Sequence, residues 1–357
     1  MHIYEYLFAG LIIIALLIGS TVMVTTLSSP ASNASDKDQL KVTAEKIMTQ
    51  MLLDSGYPYD WGSNTSVVPQ VFGLAKYGET SRQAYELDPD KVLRLNEGLP
   101  STFAANLLGL GNSNDPSHKA LDYGFTLEFN ETLHISTQQI GSGDTYSIDV
   151  TSDYTLPLIG ANVSAVLYYI DDTSKIALEE PNGTSYLTTA YDGSCVFNFN
   201  TIETSKVLAV TVDYYGAQAA KLYSFPAGSG LHATLLGSNL IADPTQPYNI
   251  ASDADSHEIL LIQTSQGYET RDFAVQNIGN STNFTLSNPP ESSAIAVLAV
   301  SGSNGSNLLV ADRDFSNISY RTIPAIRSAA SAYSLERTVL IGGSTFTATL
   351  YLWRMST

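Results

Sequence analysis

The chain has 357 residues and a formal net charge of −18, with 35 acidic side chains against 17 Lys and Arg. That balance excludes a phosphate-backbone binder, which needs a basic stripe, so no nucleic-acid partner is expected. A single cysteine, Cys195, excludes an intrachain disulfide framework, and the length allows roughly two or three domains.

In chain order, the first signal is Tyr6–Leu27, a run without a charged side chain. At ~1.5 Å rise per residue it matches the ~30 Å hydrocarbon core of a bilayer, which predicts a transmembrane helix over 1–27. A cleaved signal peptide is the competing reading, because small residues follow at Ser28–Ala34. The length of the run and the lack of Lys or Arg before it favour a retained anchor. The positive-inside rule, read literally, places the remainder inside the cell, since Lys37, Lys41 and Lys46 follow the run and none precedes it. Asp36, Asp38 and Glu45 lie among those lysines, however, and large domains cross largely regardless of charge.

The segment Asp36–Asp54 repeats apolar residues at Leu40, Ala44, Ile47, Met48 and Met51, the spacing of an amphipathic helix, with Ser35 as N-cap and Asp38 three residues on. Its apolar face needs a partner, either its own domain or a neighbouring subunit. A turn-rich aromatic loop follows at Gly56–Gly62. Tyr57, Tyr59 and Trp61 cluster there, a composition that suits contact with a sugar or partner subunit but more often forms a local packing core beneath a turn. Short helices are expected at Pro89–Leu95 and Ser101–Leu108.

From Tyr123 the period changes to two. Phe125, Leu127 and Phe129 alternate with Thr126, Glu128 and Asn130. Further strands are expected at Thr145–Thr151, Val163–Ile170, Ser185–Ala190, Cys195–Phe199 and Val207–Tyr214. Cys195 reads there as a small buried hydrophobe. Strands with turn signals at such intervals imply a sandwich. Pro226–Gly230 reads as a boundary. Beyond it, strands are expected at Glu258–Thr264, Ala294–Val300, Leu308–Ala311 and Thr338–Ile341, with a hairpin at Gly342-Gly343 leading into Thr345–Trp353.

Nine Asn-x-Ser/Thr acceptor sites occur, at Asn33, Asn64, Asn130, Asn162, Asn182, Asn280, Asn283, Asn304 and Asn317. They favour glycosylation of an extracellular surface. No nucleophile elbow, His-Glu-x-x-His, phosphate loop or paired cysteine is present, and His2, His118, His134, His232 and His257 have no ligand spacing. No enzyme activity and no cofactor are expected. Asp253 with Asp255, Asp312 with Asp314, and Asp171 with Asp172 are weak calcium candidates without a complete ligand loop.

The pieces LLDSGYPYDWG (52–62), FGLA (72–75), YELDPDKVLRLNE (85–97), LLGLG (107–111) and YGFTLEF (123–129) follow the apolar run in an order that resembles archaeal surface proteins similar to type IV pilins. The block 157–216, from PLIGANVSAVLYY through YDGSCVFNF to VLAVTVDYYG, resembles an Ig-like module of archaeal surface proteins. The resemblance implies an assembly role for Glu5, which stands fifth from Met1 as in a mature pilin, offsetting the N-terminal amine of a neighbouring subunit; the alternative is a carboxylate in the headgroup zone, paired with water. No basic leader precedes the run, a departure from that pattern.

The expected fold class is therefore mainly β with an N-terminal transmembrane and stalk α-helix and antiparallel, Ig-like β-sandwich domains. The expected segments are a membrane helix at 1–27, a stalk helix and helical or loop region at 28–122, a first β segment at 123–153 pairing with the C-terminal β domain, an Ig-like sandwich at 154–228 and a C-terminal β domain at 229–357. The expected function is a non-catalytic, pilin-like surface structural subunit. It would sit in the cell membrane with an extracellular ectodomain, assembled with copies of itself or with other pilin-like subunits. The alternative is a membrane-tethered monomeric adhesin that binds surface glycans or a partner.

Overall fold

The computed structural model describes residues 37–355, except 65, 79–84, 112–120, 142, 153–154, 172–175, 202, 204, 226–230, 238, 243–257, 265–266, 274, 277–282, 287–293, 303–304, 313–314, 316–317 and 323–331. The architecture is mainly β. The expected fold class is corrected in one respect: no helix among the described residues is long and apolar enough to cross a membrane, so a transmembrane helix is not part of the observed fold. The 1–27 segment to which that expectation applied, Glu5 included, lies outside the described residues.

The first helix, α1, covers residues 37–53. Its spacing of three and four brings Ala44, Ile47, Met48, Met51 and Leu52 onto one buried face, with Leu40 packed at the margin. The partner of that face is within the same chain. The short strand β1 (Glu86–Leu87) is followed by α2 (Pro89–Glu97), α3 (Ser101–Leu107) and β2 (Tyr123–Glu131). Asp88 caps α2: its side chain accepts from the backbone N–H of Asp90 at 3.0 Å and of Lys91 at 3.4 Å, and Pro89 fills the first position.

A sandwich comes next. Its strands are β3 (Leu133–Gln139), β4 (Thr145–Ser152), β5 (Leu156–Pro157), β6 (Asn162–Ile170), β7 (Ile176–Glu179), β8 (Tyr186–Thr188), β9 (Ser194–Asn198), β10 (Lys206–Tyr214) and β11 (Ala217–Phe225). One sheet runs β11-β10-β6-β7, with β8 also paired to β6. The other runs β3-β4-β5, with β9 also paired to β4. Their inner faces share a core that includes Ile135, Tyr146, Ile148, Val163, Leu167, Phe197, Leu208 and Val210. Cys195 is buried in this core. Burial, together with the charge of Asp149, pushes its thiol pKa up to about 12, so it is an unreactive packing group.

The third unit is an eight-stranded sheet built from β12 (Leu231–Leu236), β13 (Asn239–Ala242), β14 (Glu258–Thr264), β15 (Gly267–Phe273), β16 (Val275–Gln276), β17 (Asn283–Leu286), β18 (Ala294–Gly302) and β19 (Gly305–Asp312). Its order is β15-β14-β18-β19-β12-β13-β17-β16, with β12 and β19 parallel. On β19, Leu308 and Val310 pack against Tyr168, Ile176, Val207 and Ala209 on the outside of the sandwich. Val207–Val212 is therefore covered from both faces, which is why this strand reads as a nearly unbroken apolar run.

The chain then returns to its beginning. β20 (Ser319–Arg321), β21 (Ala332–Ile341) and β22 (Ser344–Arg354) join β1 and β2 in a sheet of order β1-β21-β22-β2-β20. Phe125, Leu127 and Phe129 stand opposite Leu352, Leu350 and Ala348, and together they form the floor on which α1 and α2 rest. On the other face, the Trp353 ring lies against Gly124, where an added Cβ would come within 2.6 Å of it.

These pairings redraw the expected segments. The 123–153 region divides at Thr132: β2 pairs with β22 and β20, whereas β3 and β4 belong to the sandwich. The 229–357 region divides as well, because residues 231–312 form a sheet of their own and 319–354 complete the N-terminal base.

Candidate functional site

The aromatic loop after α1 is shaped from its ends. Asp54 Oδ1 accepts from the Gly56 N–H at 2.8 Å, and Gly56 turns the chain with φ of 69°. Tyr57 then bridges to Val71: its N–H donates to the Val71 carbonyl at 3.1 Å, and its carbonyl accepts from Gln70 N–H at 2.7 Å. A Cβ on Gly73 would lie 2.2 Å from the Asp54 carbonyl oxygen, so the FGLA piece can touch this turn only through a glycine.

Helix α2 holds the loop from beneath. Lys91 is fully buried, and its Nζ donates to the carbonyls of Ser55 at 2.9 Å and Ala75 at 3.1 Å, with Asp88 Oδ2 at 3.5 Å. Burial lowers the Lys91 pKa and raises that of Asp88; in each case the opposite charge of the other residue works against the shift. One turn later, Arg94 donates to the carbonyls of Trp61 and, at 3.0 Å, Asn64. Its guanidinium sits 5.8 Å from the centre of the Trp61 ring. The order of sequence pieces 52–62, 72–75 and 85–97 thus has a physical basis: the third supplies cations that pin the carbonyls of the first two.

The three expected contact aromatics do not act together. Trp61 is fully buried, packed 6.0 Å from Phe72, and belongs to the core of the base. Its expected part in a partner contact is corrected on that ground. Tyr57 and Tyr59 face outward at 50% and 45% exposure, with rings perpendicular and 5.8 Å apart. Sequence reading missed Tyr77, which is 46% exposed and stacks on Tyr59 at 3.9 Å and 12°. The available signal was its position two residues after the FGLA piece, on the chain segment that returns past the loop. Val71, also exposed, extends this surface through its bridge to Tyr57.

A pinned platform of three tyrosines offers flat apolar faces and hydroxyl edges at low entropic cost. That chemistry fits stacking on a sugar ring or packing against another protein surface.

Asn64, Asn130, Asn162 and Asn182 are exposed. Asn182 and Asn200 exchange reciprocal amide hydrogen bonds at 2.8 and 2.7 Å. Asn33, Asn280, Asn304 and Asn317 lie outside the described residues, and Asn283 begins β17. Among the calcium candidates, Asp312 ends β19 and Asp171 follows β6, whereas Asp172, Asp253, Asp255 and Asp314 lie outside the described residues. Among the described residues, no group of three or more His, Cys, Asp or Glu is placed to hold a metal ion.

No family model matches the chain, and no curated protein does. Among solved structures, human GIVD cytosolic phospholipase A2 aligns at a TM-score of 0.11 and 10% sequence identity, covering 66% of this chain and 33% of that one. The chain thus spans about a third of that structure's length, and a likeness of this size carries no argument about fold or activity.

Proposed function

We propose that this chain is a non-catalytic surface structural subunit, similar to type IV pilins, attached or assembled through its apolar N-terminal segment. The observation that carries the reading is the placement of α1. The described part of this helix begins ten residues after Leu27, the end of the uncharged run, and its apolar face packs into the core of the base. A load applied to the N-terminal segment therefore passes into the core of the base, and the sandwich, with the Ig-like sequence pattern, is carried by that base. The exposure of Asn64, Asn130, Asn162 and Asn182 supports an extracellular surface. The test compares the full chain in mild detergent with a chain lacking residues 1–35, by sedimentation velocity. The reading expects oligomers for the first and monomers for the second; monomers for both would overturn assembly through the N-terminal segment.

The tyrosine platform favours a second reading, a tethered adhesin that engages a glycan or a partner surface through Tyr57, Tyr59 and Tyr77. It expects binding to a glycan array or to cell-surface extract that survives removal of residues 1–35 and is lost in Tyr59→Ala. Binding unaffected by Tyr59→Ala would rule out the platform as the contact.

A further inference from the structure

Two charged side chains meet inside the sandwich, away from solvent. Asp144 directly precedes β4 and Lys206 opens β10; they are 62 positions apart in the chain, and both are buried. Lys206 Nζ contacts Asp144 Oδ1. Aromatic rings enclose the pair's surroundings: the Tyr146 ring lies 4.6 Å from that of Phe225 and 5.9 Å from that of Phe199. The Tyr146 hydroxyl donates to Asp144 Oδ1 at 3.4 Å, and the Phe199 N–H donates to the Asp144 carbonyl at 2.8 Å. Because β4 and β10 belong to different sheets, the contact ties the two halves of the sandwich together.

An amine held against a carboxyl group in a dry, aromatic site is arranged for condensation. We propose that Lys206 Nζ and Asp144 Cγ become joined by an intramolecular amide bond after the sandwich has folded. One proton transfer along the contact turns the ion pair into a neutral amine facing a neutral acid. The Nζ lone pair then forms a bond to Cγ, and a Cγ–O bond breaks. That oxygen leaves as water, carrying two of the three protons of the original ammonium. No oxidant, metal or co-reactant is consumed. Fixed proximity supplies the equivalent of a very high local concentration. The Tyr146 phenol, kept protonated by burial, donates to Oδ1, the oxygen that receives the Lys206 proton and leaves as water, and so assists its departure. Exclusion of water opposes the reverse hydrolysis.

The product would replace a buried ion pair, whose desolvation is costly, with a neutral covalent tie between sheets. A cross-link of this kind suits a subunit that bears tension, although the chemistry does not depend on the proposed function.

The experiment is tryptic digestion of the denatured full chain with tandem mass spectrometry. An acylated Lys206 is not cleaved, so the expected product is a branched peptide joining the Asp144 and Lys206 segments, lighter than their sum by one water. Lys206→Arg is expected to release the Asp144 peptide in linear form. Linear Asp144 and Lys206 peptides as the main products from the wild-type chain would overturn the proposal, whatever the variant does.

Discussion

At the scale of single residues, the base depends on cations buried against backbone carbonyls. Lys91 follows an acidic stretch at the start of α2, yet it is fully buried against two carbonyls and Asp88. Removing one partner of such a group leaves the others unpaired, which costs ~3–5 kcal/mol. Lys91→Met is expected to lower stability by about that amount in urea titration, and a loss under about 1 kcal/mol would contradict the role given to Lys91. Trp61 and Tyr59 separate the two roles that their shared loop suggested. Trp61→Ala empties a core site and is expected to cost ~3–5 kcal/mol. Tyr59→Ala removes one exposed stack worth only ~0.5–1.5 kcal/mol. The sequence showed that aromatics cluster here; it could not show which one points inward, because a turn has no fixed period to assign faces.

Secondary elements were legible where their period was clean. The spacing of three and four in α1 gave its buried face correctly, and Met48→Ala or Met51→Ala is expected to destabilise by ~2–5 kcal/mol, read as a shift of the thermal midpoint. The alternation of Phe125, Leu127 and Phe129 likewise gave β2. By contrast, β11, AQAAKLYSF, has weak alternation because it lies at a sheet edge and most of its residues are half-buried. The turn leading into it was marked only by Gly216. Tyr215 and Gly216 both have positive φ, of 52° and 86°, as a tight hairpin turn requires. The start of β21 was missed for a similar reason: from Ala332 to Thr338 its residues are exposed or half-buried, so burial does not impose a pattern on them.

For the molecule as a whole, the decisive contacts are the least local. The base closes only when β22, at the end of the chain, pairs with β2, and when β1 lies parallel to β21. Periodicity identifies strands but not partners across such separations, so the division of 123–153 and 229–357 between units was not readable. Alkaline stability is a property of the whole fold. Burial raises the pKa of Tyr146, Tyr223 and Tyr320 well above the ordinary phenol value. The folded state therefore keeps protons that the unfolded chain releases above about pH 10, and stability falls by ~1.4 kcal/mol per pH unit for each such phenol. The lowered Lys91 pKa acts in the opposite sense only up to about pH 10.4, where the unfolded lysine also loses its proton, so the three phenols dominate. Urea midpoints measured from pH 9 upward are expected to drop steeply past pH 10; a flat profile would contradict the buried, protonated state of these tyrosines. The central claim, that this acidic and largely β chain is a surface subunit, is tested most directly by immunogold electron microscopy of intact, unpermeabilised cells with antibody to residues 37–355. The account predicts label on the outer face, in rows where subunits assemble. Label that appears only after permeabilisation would contradict it.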